Sequence, residues 1–174
     1  MPRFNWGVIC RNPIVDQRTG MPTLVEVVES LAFSNDAADL KSRLAEGEWI
    51  MVPVGIHVAF SLSRADDQVP ETVSVVVKVV APDGRVHADR DVPILHLDMT
   101  EVLKQRAFLR FEHFPYIVDG TYKISLEFVS DSTGDKSHQE IPLDLIFSQE
   151  EGDQEQTDSP PPKKKAKRKE PSKK

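Results

Sequence analysis

The chain has a single cysteine, Cys10, so it has no partner for an internal disulfide and no set of thiolates at zinc-binding spacing. That argues against the disulfide frameworks of small secreted domains and makes a reducing, cytoplasmic setting the expectation. No apolar run approaches the ~20 residues that a membrane-spanning helix requires, so no membrane partner is expected. The apolar patch near the start reaches only from Trp6 to Cys10, between Arg3 and Arg11, too short for the core of a signal peptide. Gly-x-Gly-x-x-Gly, the Walker loop and Gly-x-Ser-x-Gly are all missing, which removes the common phosphate cradles and the strained nucleophile turn. No cofactor is therefore expected. Helix signals are sparse. Asn35 or Asp36 is suited to cap a short helix through Leu40 and Leu44 that stops at Gly47, and Asp98 to Lys104 suits one further turn.

What is present suits one domain with an appendage: 174 residues, 39% hydrophobic and 29% charged. The formal net charge of −6 describes no part of the molecule. Residues 1–148 hold 14 Lys and Arg against 22 Asp and Glu, a balance of −8. Residues 149–158 hold five acids (Glu150, Glu151, Asp153, Glu155, Asp158) and no base. Residues 159–174 hold eight bases against Glu170 alone, a balance of +7. Neither of the last two stretches has a hydrophobic pattern to offset the entropy of ordering a chain, so the expected domains are a folded body over 1–148 and a disordered acidic-then-basic tail over 149–174.

Within the body the dominant period is two, the signature of strands that face core and solvent in turn. Val54, Ile56, Val58, Phe60 and Leu62 alternate with Gly55, His57, Ala59, Ser61 and Ser63. Tyr122, Ile124, Leu126 and Phe128 do so with Thr121, Lys123, Ser125 and Glu127, and Ile141, Leu143, Leu145 and Phe147 form a last such face. Pro142 lacks an amide proton and points to an edge or a strand start there. Thr72 to Val80 carries valines on both faces and reads as more central. Pro82-Asp83-Gly84 turns it into a partner strand over Val86 to Leu97, whose apolar positions change face near Pro93. Trp6 to Val15 and Thr23 to Phe33 flank the turn Asp16-Gln17-Arg18-Thr19-Gly20, and Arg106 to His113 completes about eight strands. Short, punctuated strands without long crossover helices specify an all-β antiparallel sandwich, Greek-key or immunoglobulin-like. Asp119-Gly120-Thr121-Tyr122 ahead of a strong late strand matches the tyrosine position of immunoglobulin-like sandwiches.

These features together resemble a family of small bacterial β-sandwich proteins of unassigned function. The resemblance rests on Cys10 through Val15-Asp16-Gln17-Arg18-Thr19-Gly20 to Thr23-Leu24-Val25-Glu26-Val27-Val28, and on Gly120-Thr121-Tyr122-Lys123-Ile124. It spans roughly residues 5–147 and implies a compact β-sandwich without catalytic residues to carry over.

Chemistry is harder to find. His87, Asp89 and Asp91 share one face of an expected strand, with His96 and Asp98 further along, a spacing at which imidazole and carboxylates converge on a divalent metal. A solvated strand face produces the same pattern without a ligand. Asp66, Asp67, Asp131 and Asp135 lie in expected turns, where calcium-binding loops of sandwiches draw their acids. Cys10 has no base beside it in sequence and reads as a small buried residue rather than a nucleophile. His57, His113 and His138 read as a strand's polar face, a neighbour of Phe114 and a loop residue. The densest feature is Lys163, Lys164, Lys165, Lys167, Arg168 and Lys169 after three prolines. Such a row of fixed charges binds polyanions by releasing their counterions, and it is also the pattern read by nuclear-import receptors. Without aromatics to stack on bases, contact with nucleic acid is expected to be non-specific. The expected function is a non-enzymatic interaction or accessory module with an unknown protein partner. The alternatives are a metal-dependent enzyme or binder centred on His87, Asp89 and Asp91, and a structural subunit of a larger assembly.

Overall fold

The computed structural model describes residues 2–33, 43–44, 46–66, 68–87 and 94–147. Ten strands run in order: β1 (Arg3–Val15), β2 (Pro22–Val27), β3 (Ser30–Phe33), β4 (Ile50–Ser63), β5 (Thr72–Val80), β6 (Val86–His87), β7 (Leu95–Asp98), β8 (Lys104–Tyr116), β9 (Gly120–Ser130) and β10 (Lys136–Phe147). They form a four-stranded sheet ordered β2-β1-β4-β8 and a second sheet ordered β3-β10-β9-β5-β6, with β7 also on β5. Every pairing is antiparallel except β3 on β10. The two sheets pack as the expected β-sandwich.

The period-two faces supply the core. Ile56, Val58, Phe60 and Leu62 of β4 meet Tyr122, Ile124, Leu126 and Phe128 of β9 and Leu143 and Leu145 of β10, all fully buried. Phe60 and Phe4 both lie against the Phe128 ring, at 5.6 and 5.9 Å between centroids. Gly7 leaves room where β1 enters this layer, since a Cβ there would lie 2.7 Å from both the Phe4 ring tip and Ile141 Cδ1 and would oblige those side chains to shift.

Eight expected strands become ten because two of them break. Thr23 to Phe33 divides at Val28-Glu29: β2 stays with β1 in the first sheet, while β3 crosses to β10 in the second. Val86 to Leu97 divides into β6 and β7, both on β5; residues 88–93 lie outside those described. The turn expected over Asp98 to Lys104 is not helical. Asp98 belongs to β7, its carboxylate accepts the Thr100 amide and hydroxyl at 2.9 and 2.7 Å, and Lys104 starts β8. The helix expected around Leu40 lies mostly outside the described residues.

Pro142 sits where its missing proton costs nothing. The Asp144 amide donates toward β3, to Glu29 O at 2.9 Å, so the nitrogen two residues earlier faces the same side, beyond the end of β3. The order of β1, β4 and β8 in one sheet and β10, β9 and β5 in the other is the A-B-E and G-F-C order of immunoglobulin-like sandwiches. Tyr122 completes the likeness. Its hydroxyl donates to Val118 O at 2.8 Å and accepts the Ile117 and Val118 amides at 2.8 and 3.1 Å, clamping the connection between β8 and β9.

Candidate functional site

The β1–β2 hairpin does not continue the plane of its sheet. β1 pairs with β4 only as far as Cys10 opposite His57, and beyond it pairs with β2 alone. Three irregularities coincide at this corner. β4 shifts register between Pro53 and Ile56, with Gly55 at φ 56°, and Glu26 of β2 takes φ 56°, a left-handed conformation rare for a side-chain-bearing residue. Arg11 ties them together, with its guanidinium 3.2 Å from Val54 O and 3.7 Å from the Glu26 carboxylate. His57 Nδ1 donates to Arg11 O at 2.9 Å, which fixes the tautomer because a carbonyl only accepts.

The bent hairpin reaches back to β8, where the Arg106 guanidinium donates to Gly20 O at 3.1 Å and lies 3.4 Å from Met21 Sδ. Its tip is self-capped: the Asp16 carboxylate accepts the Arg18 and Thr19 amides, both at 2.8 Å, and these bonds hold its acid below the ordinary range. The arm carries Ile14, Val15, Met21 and Val27, each 44–58% exposed. Ile14, Met21 and Val27 share one face of the hairpin by its register, and Val15 faces the other side, so the first three form an exposed apolar stripe near Arg11 and Arg106.

The metal constellation is not assembled among the described residues. The His87 ring packs on Trp49 at 5.1 Å, while Asp89 and Asp91 lie outside the described residues. His96 Nδ1 sits 3.0 Å from Ser74 Oγ, and Asp98 is occupied by Thr100. Asp66 accepts the Gln68 amide and lines a pocket of about 180 Å³ with Glu71, Ser130 and Thr133; Asp67 lies outside the described residues. No group of three His, Cys, Asp or Glu placed to hold a metal occurs among the described residues.

Cys10 is fully buried, and burial pushes its thiol up, away from the thiolate that nucleophilic chemistry needs. It lies opposite His57 and Val27, on the side of the sheet away from the main core. His113 pairs opposite Pro53, and His138 Nε2 lies 2.8 Å from Ser125 Oγ. The polyanion candidates Lys163, Lys164, Lys165, Lys167, Arg168 and Lys169 lie outside the described residues.

A second polar arrangement has no signature in the linear sequence. Ser74 Oγ donates to Asp131 Oδ1 at 2.6 Å, so His96 Nδ1 donates to Ser74 Oγ at 3.0 Å. The order differs from a catalytic triad, in which the imidazole stands between carboxylate and hydroxyl and can take the hydroxyl proton. Here the hydroxyl stands in the middle with its proton committed to the carboxylate. The arrangement bridges β5, β7 and the β9–β10 turn. Beside it lies a concavity of about 550 Å³ whose lining includes Lys78, Lys136, Glu127 and Asp131. Lys136 Nζ is 2.7 Å from Glu127, so opposite charges are matched within the surface itself.

Compared with family models, curated proteins and solved structures, the chain matches none. No helix among the described residues is long and apolar enough to cross a membrane.

Proposed function

We propose that the chain is a cytoplasmic interaction module in which the acidic sandwich engages a protein partner and the basic segment Lys163 to Lys169 adds non-specific contact with a polyanion such as nucleic acid. The observation that carries the reading is the segregation of charge, −8 over residues 1–148 against +7 over residues 159–174. A polyanion is repelled by the first and attracted by the second, so contact concentrates at one end of the chain. The described structure ends at Phe147, whose amide donates to Asp119 Oδ1 at 2.6 Å while β10 holds β3 and β9 on either side. The basic segment is thus tethered to a fixed point of the sandwich. The 27 residues after Phe147 reach at most ~95 Å when fully extended. The apolar arm around Ile14, Met21 and Val27 supports the protein-partner side of the reading.

The test compares the full chain with one ending at Ser148 for binding to duplex DNA and to RNA between about 50 and 200 mM salt. Binding confined to the full chain and weakening steeply with salt is expected. Equal binding by the two chains, or binding that ignores salt, removes the basic segment from the function.

A further inference from the structure

The geometry points to β8 as the seam of a two-fold dimer, in which two copies of this chain pair their β8 strands antiparallel and join two four-stranded sheets into one of eight. Among the described residues β8 pairs with β4 alone, over Lys104 to Tyr116, and no other described strand pairs with the far side of this 13-residue strand. The other edges are shorter: β2 has six residues, β3 four, β6 two and β7 four. β8 is also free of proline until Pro115.

Charged side chains usually discourage edge pairing, but those of β8 alternate in sign so that one register satisfies them. With the two-fold axis at Leu109, Arg106 faces Glu112 of the second copy and Phe108 faces its Arg110, each contact occurring twice. Arg106, Phe108 and Arg110 pair across β4 with Ser61, Ala59 and His57, so they share the face turned away from the core. Arg110 and Glu112, both 65% exposed and 3.4 Å apart, already pair along the strand. An axis at Phe108 sets Arg106 against Arg110 twice, and an axis at Arg110 sets that arginine against itself. An axis at Phe111 draws Pro115 into the ladder. Axes between residues put core-facing positions opposite solvent-facing ones. Only the Leu109 register matches charge, face and backbone together. The bonds of Arg106 to Gly20 and Met21 place the tip of the hairpin arm at the same seam.

The test is sedimentation velocity of the full chain, with Arg106→Glu, Glu112→Arg and the double reversal. A dimer is expected at about 100 µM. Each single reversal should raise its dissociation constant at least about ten-fold, and the double variant, whose pairs are complementary again, should recover most of that loss. Where a single variant folds poorly by circular dichroism, hydrogen exchange of the unsubstituted chain decides: the amides of Ala107 to Phe111 should gain protection as concentration rises through the dimerisation range. A monomer at 100 µM overturns the proposal. So does a dimer indifferent to both single reversals, or one whose double variant is no better than the singles, or β8 protection independent of concentration.

Discussion

Replacing Tyr122 by phenylalanine removes one oxygen and leaves the fully buried ring in place. That oxygen serves three backbone groups: Val118 O at 2.8 Å and the Ile117 and Val118 amides at 2.8 and 3.1 Å. A net hydrogen bond contributes about 1 kcal/mol, and a buried group left without a partner costs about 1–3 kcal/mol. Ile117 is buried, so its amide has no water to turn to, whereas the partly exposed Val118 recovers some of its loss. The expected cost is about 2–3 kcal/mol, or roughly 5–10 °C in melting temperature for a body of this size. Tyr116→Phe is the internal control, because its hydroxyl makes one bond, to Asp119 Oδ1 at 2.8 Å, and its loss should cost about 1 kcal/mol. Urea denaturation of both variants at neutral pH reads the difference. Equal losses, or a Tyr122→Phe loss under about 1 kcal/mol, would refute the view that the hydroxyl clamps the β8–β9 connection.

The same two residues predict an alkaline transition. Burial is the main cause holding both protonated above the ordinary tyrosine value, and for Tyr116 the bond to Asp119 adds to it. Each therefore stabilises the fold fully below about pH 10, and the contribution falls by about 1.4 kcal/mol per pH unit and per tyrosine as pH rises toward the folded-state values. Since the chain has only these two tyrosines, phenolate absorbance should rise together with the loss of β-sheet circular dichroism; a separate, earlier rise would contradict the burial. Gly7→Ala sets a methyl 2.7 Å from the Phe4 ring tip and Ile141 Cδ1 and should cost about 1–3 kcal/mol, measured by thermal melting; an unchanged melt would mean that these two side chains move aside without loss of packing. Cys10 should react with a thiol reagent on the order of 100-fold more slowly in the native protein than in denaturant, and comparable rates would show that the outer side of its sheet is open.

The architecture was legible wherever one side chain in two had to meet the core. The alternations Ile56 to Leu62, Tyr122 to Phe128 and Ile141 to Leu145 became inward faces, because period two is set by backbone geometry alone. Val54, read as the first member of its face, is only half-buried: Gly55 at positive φ inserts an extra residue and turns the strand there. The break at Val28-Glu29 was hidden, since Thr23 to Phe33 has no Gly or Pro to mark it. Periodicity also does not name a strand's partner, so the parallel match of β3 to β10 had no local sign. Of the surfaces, the Asp16 to Gly20 turn and the Tyr122 clamp had local signatures. The Ser74, His96 and Asp131 bridge joins positions 22 and 57 residues apart and becomes visible only once β5, β7 and β9 are side by side.

In the proposed function, polyanion contact belongs to the basic segment Lys163 to Lys169 and not to the acidic body. The salt dependence of binding to a short DNA duplex tests it most directly. If Lys163, Lys164, Lys165, Lys167, Arg168 and Lys169 each neutralise a phosphate, log K should fall with log salt at a slope of about −5. Replacing the six with glutamine should abolish both the binding and the slope. A slope shallower than about −1, or one that the replacements leave unchanged, would contradict it.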